Sequence, residues 1–327
     1  MIIAGDMGGT NTRLALVEKD AGGQLQIRDM ETFASAKYSG LQEVFQEFLE
    51  KRHVSVSSAC VGVAGPVQNG RCAAMNLPWV IDAKELAETA RLEQVSVIND
   101  LEANAYGIPC LGPDDLLTIN AGAPNAHGNG AVVSAGTGLG EAGMDWDGHA
   151  FHPFATEGGH TDFAPLDRLQ YELYENLLAQ FDHVSYERIV SGPGLVNIYR
   201  FLRDTGRGAE PAWLAEELEQ SDAAAVISKS AMDGRSPLCE QALDMFLELY
   251  GTEAGNMALK VMARGGVWLG GGIVVKVRKR LQSTGGFLRA FTNKGRLRKL
   301  MEDIPVRIIL NEYTALLGAA RYALDLA

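Results

Sequence analysis

The chain has 327 residues, of which 46% are hydrophobic and 21% charged, and its formal net charge is −12. This length exceeds the usual size of one domain, so we expect two domains of a soluble globular protein. The acidic charge and the lack of a basic leader or an 18-residue apolar run argue against nucleic-acid binding, secretion and membrane insertion, and we expect a cytoplasmic protein with neither nucleic acid nor membrane as a partner.

The first feature along the chain is a glycine hairpin. An apolar run over residues 2–6 breaks at residues 8–10 and resumes at Leu14, which predicts strand, tight turn and strand. Adjacent glycines let backbone N–H groups converge on an anion, and further donors are Thr10, Asn11 and Arg13. The pattern is typical of phosphate binding, although an ordinary glycine hairpin fits it equally well. The Gly-Lys-Ser/Thr of a P-loop does not follow.

Strands and helices alternate after this hairpin. Strands are predicted at residues 24–33, 60–64 and 95–98, and helices at residues 41–49, 83–92 and 101–108. Ser39, with Gln42 three residues later, predicts a capping box for the first helix. Such alternation after an antiparallel start indicates an α/β domain with a mixed sheet.

Asn99 and Asp100 lie where the last of these strands meets its helix. Asn and Asp are preferred helix caps, so a capping role alone explains both residues. The carboxyl end of a strand is also where open α/β sheets place their chemistry. The sequence therefore allows one residue to cap the helix while the other serves a site.

Two prolines and a glycine at residues 109–113 predict a domain boundary. We predict a small α/β domain from residues 1–110 plus 302–327 and a large α/β domain from residues 111–301. A strand at residues 131–134 enters a glycine turn at residues 136–140, which repeats the N-terminal hairpin. A third glycine turn, at residues 270–272, also follows an apolar strand. Three glycine turns that each follow a strand favour phosphate binding over a coincidental set of ordinary turns.

The rest of the large domain is predicted to be mainly helical. Residues 166–181 carry apolar side chains at helical spacing, and Ser236 with Pro237 predicts the start of a long helix. A strand at residues 305–310 and a helix at residues 314–326 are predicted at the end of the chain.

Glu157, His160 and Asp162 concentrate ionisable groups on one loop. A metal site is one interpretation, but two glycines disfavour the helix that would align Glu157 with His160, and the four cysteines form no CxxC pair. Recognition of sugar hydroxyls is the better interpretation, because hydrogen bonds to charged groups contribute about 1.5–3 kcal/mol each. Glu187 is a further candidate, with a solvent-facing glutamate as the alternative.

Six ordered segments resemble the bacterial glucokinases of the hexokinase, actin and Hsp70 superfamily: residues 6–13, 98–100, 136–140, 157–160, 191–195 and 270–273. The resemblance covers nearly the whole chain. It implies two ribonuclease-H-like domains, in which helices flank mixed sheets, with a central cleft, and it implies a homodimer. The implied reaction is the phosphorylation of glucose at its 6-hydroxyl by ATP with Mg²⁺, the first step of glycolysis. Met75 and residues 313–315 depart from the family pattern.

The resemblance also implies roles for individual residues. Asp100 matches the base that accepts the proton of the 6-hydroxyl, and Asp6 matches the carboxylate that orients hydrated Mg²⁺. The positions that bind the other sugar hydroxyls are Asn99, Glu157, His160 and Glu187. The positions that hold phosphates or lie against the nucleotide are Gly8, Gly9, Thr10, Asn11, Gly136, Thr137, Gly138, Gly271 and Gly272.

Three alternatives to a glucose kinase are compatible with parts of this pattern. A kinase for another hexose or an amino sugar shares every phosphate motif and differs only in its sugar pocket. A non-catalytic sugar-responsive regulator fits less well, because the chain is acidic, keeps Asp100 and carries no helix-turn-helix extension. An actin-like or Hsp70-like module would lack the polyol-binding pair Glu157 and His160.

Overall fold

The computed structural model describes residues 1–52, 54–74 and 77–325. Met75, where the sequence departs from the family pattern, lies outside these residues. Contacts divide the chain into two compact units. The first comprises Met1–Leu116, Ala142–Ala155 and Asn311–Ala327, and the second comprises Leu117–Glu141 and Thr156–Leu310. In the part of the chain described, no helix has the length and apolar character needed to cross a membrane.

The strands of the described residues form two larger sheets and one small hairpin. In chain order they are β1 (Ile2–Met7), β2 (Asn11–Lys19), β3 (Leu25–Ala34), β4 (Ser58–Val63), β5 (Arg71–Ala73), β6 (Val80–Asp82), β7 (Gln94–Asn99), β8 (Leu116–Asn120), β9 (Gly130–Ala135), β10 (Leu139–Trp146), β11 (Phe151–Thr156), β12 (Gly266–Gly270) and β13 (Val306–Ile309). The sheet orders are β3-β2-β1-β4-β7 and β11-β10-β9-β12-β13-β8, and β5 pairs with β6.

The α-helices that accompany these strands follow the predicted alternation in the first unit and dominate the second. In chain order they are α1 (Leu41–Glu50), α2 (Ala83–Ala90), α3 (Asp100–Gly107), α4 (Arg168–Leu178), α5 (Gly192–Asp204), α6 (Ala212–Gln220), α7 (Ala223–Met232), α8 (Pro237–Lys260), α9 (Gly272–Thr284), α10 (Gly286–Thr292), α11 (Arg298–Glu302) and α12 (Thr314–Asp325).

The first sheet is mixed, as the sequence predicts. β1 pairs with β2 in antiparallel register, with Asp6 opposite Arg13, and it pairs with β4 in parallel register. β4 and β7 are also parallel. Helices cover both faces, because α1 and α2 pack with Ile3 and Leu14 while α3 and α12 pack with Ile2 and Ala4. Parallel strands covered in this way carry continuous apolar runs.

Helices α3 and α12 pack unusually closely. A Cβ atom added at Gly318 would lie 1.7 Å from the Ala103 carbonyl oxygen, and one added at Gly107 would lie 2.1 Å from the Thr314 carbonyl oxygen. Only glycine permits this approach of two backbones. Since α3 begins at Asp100, the crossing fixes the helix that carries the predicted base.

The second sheet has a parallel centre, in which β12 lies between β9 and β13. Our sequence-based division assigned residues 302–327 to the small domain, but β13 pairs with β12 and the chain enters the first unit only at Asn311. The physical reason is that a central parallel strand such as β12 needs a hydrogen-bonding neighbour on each side. The long helix α8 begins at Pro237 with Ser236 as its cap, which confirms the prediction.

The predicted capping box of α1 is wrong. The N-cap is Gly40, and the Ser39 N–H and hydroxyl both donate to the Glu43 carboxylate, at 2.9 and 2.6 Å. Because the helix begins one residue later than the box requires, Glu43 takes the role that the spacing assigned to Gln42.

Candidate active site

The N-terminal glycine turn joins β1 to β2 in a fixed shape. The Gly8 N–H donates to the Asn11 carbonyl at 2.9 Å. Ser35 supports the turn from outside, because its hydroxyl donates to the Gly8 carbonyl at 3.1 Å and its N–H donates to the Thr10 carbonyl at 3.0 Å. The side chains of Thr10 and Asn11 are exposed. The turn therefore presents polar groups to a ligand, and Ser35 is a supporting residue that the sequence did not indicate.

Asp6 lies one residue before the end of β1 and is half-buried. Burial raises the pKa of its carboxyl above the ordinary value, and the positive charge of Arg13 partly opposes this shift. Arg13 itself bonds to Glu312 at 3.3 Å. Within the described ranges, no hydrogen bond to a protein group holds the Asp6 carboxylate. A partly buried carboxylate in this environment is suited to a cation.

Asn99 and Asp100 differ in their contacts at the start of α3. The Asn99 amide oxygen accepts from the N–H groups of Leu101 and Glu102, at 2.9 and 3.2 Å, and its amide nitrogen donates to the Gly65 carbonyl at 3.2 Å. One Asp100 carboxylate oxygen also accepts from the Leu101 N–H, at 2.9 Å. Asn99 is thus the helix cap, and the cap does not depend on Asp100.

The second glycine turn, between β9 and β10, is closed by a bond from the Gly136 N–H to the Gly138 carbonyl at 2.8 Å. The Gly136 carbonyl accepts from the N–H of Gly192, the first residue of α5, also at 2.8 Å. Ser191 caps α5 through its hydroxyl, which accepts from the Gly194 N–H at 3.0 Å. Two of the sequence segments, residues 136–140 and 191–195, are therefore brought side by side.

A cavity of about 550 Å³ opens beside this second turn. It joins the turn, the start of α5, the start of α7 and the start of α9, and its lining includes Gly136, Thr137, Gly192, Ala224, Gly272 and Lys276. Of these residues, the sequence predicted Gly136, Thr137 and Gly272 as contacts of the phosphates or the nucleotide. It missed the wall formed by α7 and the positive charge of Lys276. Asp222, whose carboxylate caps α7, marks a helix start in the sequence, but nothing local places that helix against a glycine turn.

Gly271 and Gly272 are glycines for different reasons. Gly271 has a φ angle of +87°, and an added Cβ atom would lie 2.1 Å from the Ala135 carbonyl oxygen. An added Cβ atom at Gly272 would meet no atom within 4 Å. The protein's own backbone therefore requires Gly271, whereas the space at Gly272 opens on the cavity.

His160 and Glu187, both predicted to bind sugar, line a second cavity of about 370 Å³ together with His183, Ser185 and Arg188. Glu187 is half-buried, and one of its carboxylate oxygens accepts from the Leu139 N–H at 3.0 Å. Glu187 is thus not an ordinary solvent-facing glutamate, since it connects this cavity to the second glycine turn. Glu157 is exposed and directly precedes the short 3₁₀ turn at Gly158–His160.

The described residues contain no cluster of three or more His, Cys, Asp or Glu side chains that would enclose a metal ion. Asp162 instead bonds to His183 at 2.8 Å. Of the four cysteines, Cys60, Cys72 and Cys239 are buried and Cys110 is half-buried, and none of the four forms a disulfide. The donor set at Asp6, a single carboxylate, fits a hydrated cation better than a dehydrated one.

Similarity to known proteins extends over nearly the whole chain. Residues 3–326 match the family model of glucokinase. A glucokinase from Nostoc sp. is 40% identical over an alignment of 335 residues, and the alignment covers 98% of this chain and 98% of that protein. A glucokinase from Saccharophagus degradans is 35% identical over 321 residues, which cover 98% of this chain and 97% of that protein.

The fold is shared with solved structures as well. The crystal structure of a glucokinase from an Antarctic psychrotroph superposes with a TM-score of 0.86 at 31% identity, over 99% of this chain and 98% of that one. This similarity confirms the expected α/β fold, with mixed sheets flanked by helices.

Proposed function

The chain belongs to the glucokinase family, and from this membership we propose that it transfers the γ-phosphoryl group of ATP to the 6-hydroxyl of D-glucose, forming glucose 6-phosphate and ADP. One observation in the second unit carries the proposal. Glu187 lines the 370 Å³ cavity and accepts from Leu139 at the end of the glycine turn, while Gly136 and Thr137 of the same turn line the 550 Å³ cavity. A sugar-binding carboxylate joined to a phosphate-binding turn is what positioning for phosphoryl transfer requires.

We assign recognition of the sugar hydroxyls to Asn99, Glu157, His160 and Glu187. Carboxylates accept hydrogen bonds from hydroxyls, and an imidazole either donates or accepts. Of these four residues, Asn99 contributes the least to sugar binding, because its amide oxygen caps α3 and one of its two amide hydrogens bonds to the Gly65 carbonyl. A single amide hydrogen remains for sugar.

Asp100 is assigned as the general base. It accepts the proton of the 6-hydroxyl as that oxygen bonds to the γ-phosphorus and the bond from phosphorus to the bridging oxygen of ADP breaks. Asn99 caps α3 in its own right, so a role of Asp100 as base does not cost the helix its cap. General-base assistance of this kind typically contributes about 10² to 10⁴-fold in rate.

The phosphates are assigned to the two glycine turns, residues 8–11 and 136–138. Lys276 adds a positive charge to the wall of the 550 Å³ cavity, where the nucleotide is proposed to bind beside Gly271 and Gly272. Asp6 would orient hydrated Mg²⁺, since its carboxylate is partly buried and has no protein hydrogen bond within the described residues. When bound, Mg²⁺ offsets the negative charge of the phosphates.

A coupled assay of ADP release with a panel of sugars tests the proposal. We expect the largest kcat/KM for glucose, with smaller values for mannose, fructose and glucosamine. A larger value for an amino sugar or another hexose would identify the chain as a kinase of that sugar. No ADP release with any sugar, in a protein that still binds glucose, would support the non-catalytic regulator.

We further propose that the protein is a cytoplasmic homodimer. The resemblance of the chain to glucokinases supports this. Sedimentation equilibrium of the purified protein at several concentrations gives the test, and a monomer at all concentrations would contradict the dimer.

Replacing Glu187 with glutamine is expected to raise KM for glucose by about 5- to 13-fold, because a charge-assisted hydrogen bond of about 1.5–3 kcal/mol becomes a neutral one of about 0.5–1.5 kcal/mol. The glutamine carbonyl still accepts from the Leu139 N–H, so the turn is retained. Steady-state kinetics with each substrate varied in turn measure the effect. KM for ATP should change less than about twofold, and Glu219→Gln, on the exposed face of α6, should leave both constants unchanged.

A further inference from the structure

A pair of buried carboxyl groups in the second unit has no role in this assignment. Glu141, on β10, and Glu253, on α8, expose 1% and 0% of their surface. Neither carboxylate oxygen of Glu141 has a hydrogen-bond partner in the described part of the chain. Burial of an unpaired carboxylate is so unfavourable that such a group is expected to hold a proton.

The groups around the pair favour a charge on Glu253. The Lys260 ammonium lies 3.6 Å from one oxygen of Glu253. The Asn256 amide nitrogen donates to the other oxygen at 2.8 Å and to the Tyr186 hydroxyl at 3.0 Å, while the Asn256 amide oxygen accepts from Lys294 at 2.5 Å. Because lysine can only donate, this contact fixes the orientation of the amide. Glu253 therefore has the partners of an ionised carboxylate, and Glu141 does not.

Burial and the charge of Glu253 together raise the pKa of Glu141 to about 8. Burial raises the pKa of Glu253 as well, but Asn256 and Lys260 act against that shift. The other titratable groups that face the pair are Lys260, Lys294, Tyr186 and Tyr250. Burial lowers the pKa of Lys294 and raises those of the two tyrosines. Near neutral pH the pair thus carries one proton, which gives Glu141 a donor toward Glu253.

Glu141 lies directly against the turn that carries Glu157 and His160. A Cβ atom added at Gly158 would lie 2.0 Å from a carboxylate oxygen of Glu141. Thr156 fixes the same contact, since its hydroxyl donates to the Glu141 carbonyl at 2.9 Å and accepts from the Gly158 N–H at 3.2 Å. The Glu141 side chain therefore packs directly against the backbone of this turn.

The same cluster also supports the segment that carries Glu187. Tyr186 accepts from Asn256 through its hydroxyl, and its N–H donates to the Thr161 carbonyl at 3.0 Å. The turn at residues 157–160 thus contacts the buried cluster at Gly158, and the segment that carries Glu187 contacts it through Tyr186.

We propose that Glu141 and Glu253 are positioning residues that share one proton and thereby hold residues 157–160 in the conformation that binds sugar. The inference rests on the proposed function of that turn. When the proton leaves to solvent, Glu141 and Glu253 both carry a negative charge, the Glu141 charge lies against Gly158, and the turn is displaced. Glucose affinity then falls with rising pH, whereas the turnover of bound sugar is largely retained.

Calorimetric titration of glucose across pH, without ATP, tests this proposal. If only the protonated pair binds, the apparent Kd scales with the inverse of its population, so affinity should fall about tenfold between about pH 7 and about pH 9. Glu141→Gln keeps the size and the neutral form of the side chain, so its affinity should change less than about twofold over this range. Glu253→Gln leaves no second carboxylate, and its amide can donate to an ionised Glu141, so the loss of affinity over this range should also disappear. Glu248→Gln, at a half-buried position on α8 whose carboxylate pairs with Arg289, should behave like the parent.

Two outcomes would overturn the proposal. One is a glucose affinity of the parent that does not depend on pH. The other is the same loss of affinity with rising pH in Glu141→Gln, so that this variant differs from the parent at most in thermal stability. The stability profile is a separate readout. The pKa of Glu141 is about 8 in the folded chain against an ordinary 4.5. Between these two pH values the folded state holds a proton that the unfolded state releases, so the free energy of unfolding falls as pH rises from 4.5 to about 8. Absence of glucose binding by the parent at every pH would instead refute the proposed function itself.

Discussion

Asp100→Asn is expected to lower kcat by about 10² to 10⁴-fold while KM for glucose stays within about tenfold of the parent value. Asparagine has nearly the shape of aspartate and its amide oxygen still accepts from the Leu101 N–H, which Asp100 holds at 2.9 Å. It has no site for the proton of the 6-hydroxyl. The loss therefore falls on the chemical step, and steady-state kinetics with coupled detection of ADP measure it.

Two matched variants separate this chemical effect from an effect on the helix. Asn99→Ala removes the side chain that caps α3 and should lower the free energy of unfolding by about 1 kcal/mol, a cost that Asp100→Asn should not show. Asp82→Asn changes an aspartate that caps α2, and kcat should remain at the parent value. An Asp100→Asn enzyme with a third or more of the parent kcat, by contrast, would remove Asp100 from the role of base.

The glycine turns and the strands before them were predictable because their signals are local. Apolar runs of strand length end at pairs of glycines at residues 8–9 and 270–271, and the strands lie there. The choice between cap and site at Asn99 and Asp100 needed the structure, because both residue types suit a helix start. The hydrogen bonds show that Asn99 provides the cap.

The residues that sequence reasoning missed act through contacts between distant parts of the chain. Ser35 holds the turn at Gly8 from the end of β3, and Lys276 and α7 reach the second turn from far along the chain. Glu141 gave no signal, because one acidic residue on a strand is normally solvent-facing, whereas Glu141 exposes 1% of its surface and interacts with Glu253, which is distant in the chain. For the same reason the pairing of β13 was missed, because its sequence pattern predicts a strand but does not identify the neighbouring strand.

Gly271→Ala and Gly272→Ala form the second large contrast, because they are adjacent substitutions with opposite expected effects. At Gly271 the φ angle of +87° and the 2.1 Å approach to the Ala135 carbonyl oxygen leave no room for a methyl group. Alanine there should lower the free energy of unfolding by about 1–3 kcal/mol for the backbone alone, with a further loss because the end of β9 must shift. Thermal unfolding without ligand measures this cost.

At Gly272 the new methyl group meets no protein atom within 4 Å, so thermal stability should match that of the parent. The methyl group instead enters the 550 Å³ cavity at the start of α9. If the nucleotide binds there against the backbone, KM for ATP should rise by about tenfold or more, which corresponds to about 1.4 kcal/mol of lost binding, while KM for glucose is unchanged. An unchanged KM for ATP in a stable Gly272→Ala enzyme would place the nucleotide away from α9, because a ligand in close contact with that backbone cannot avoid the added methyl group.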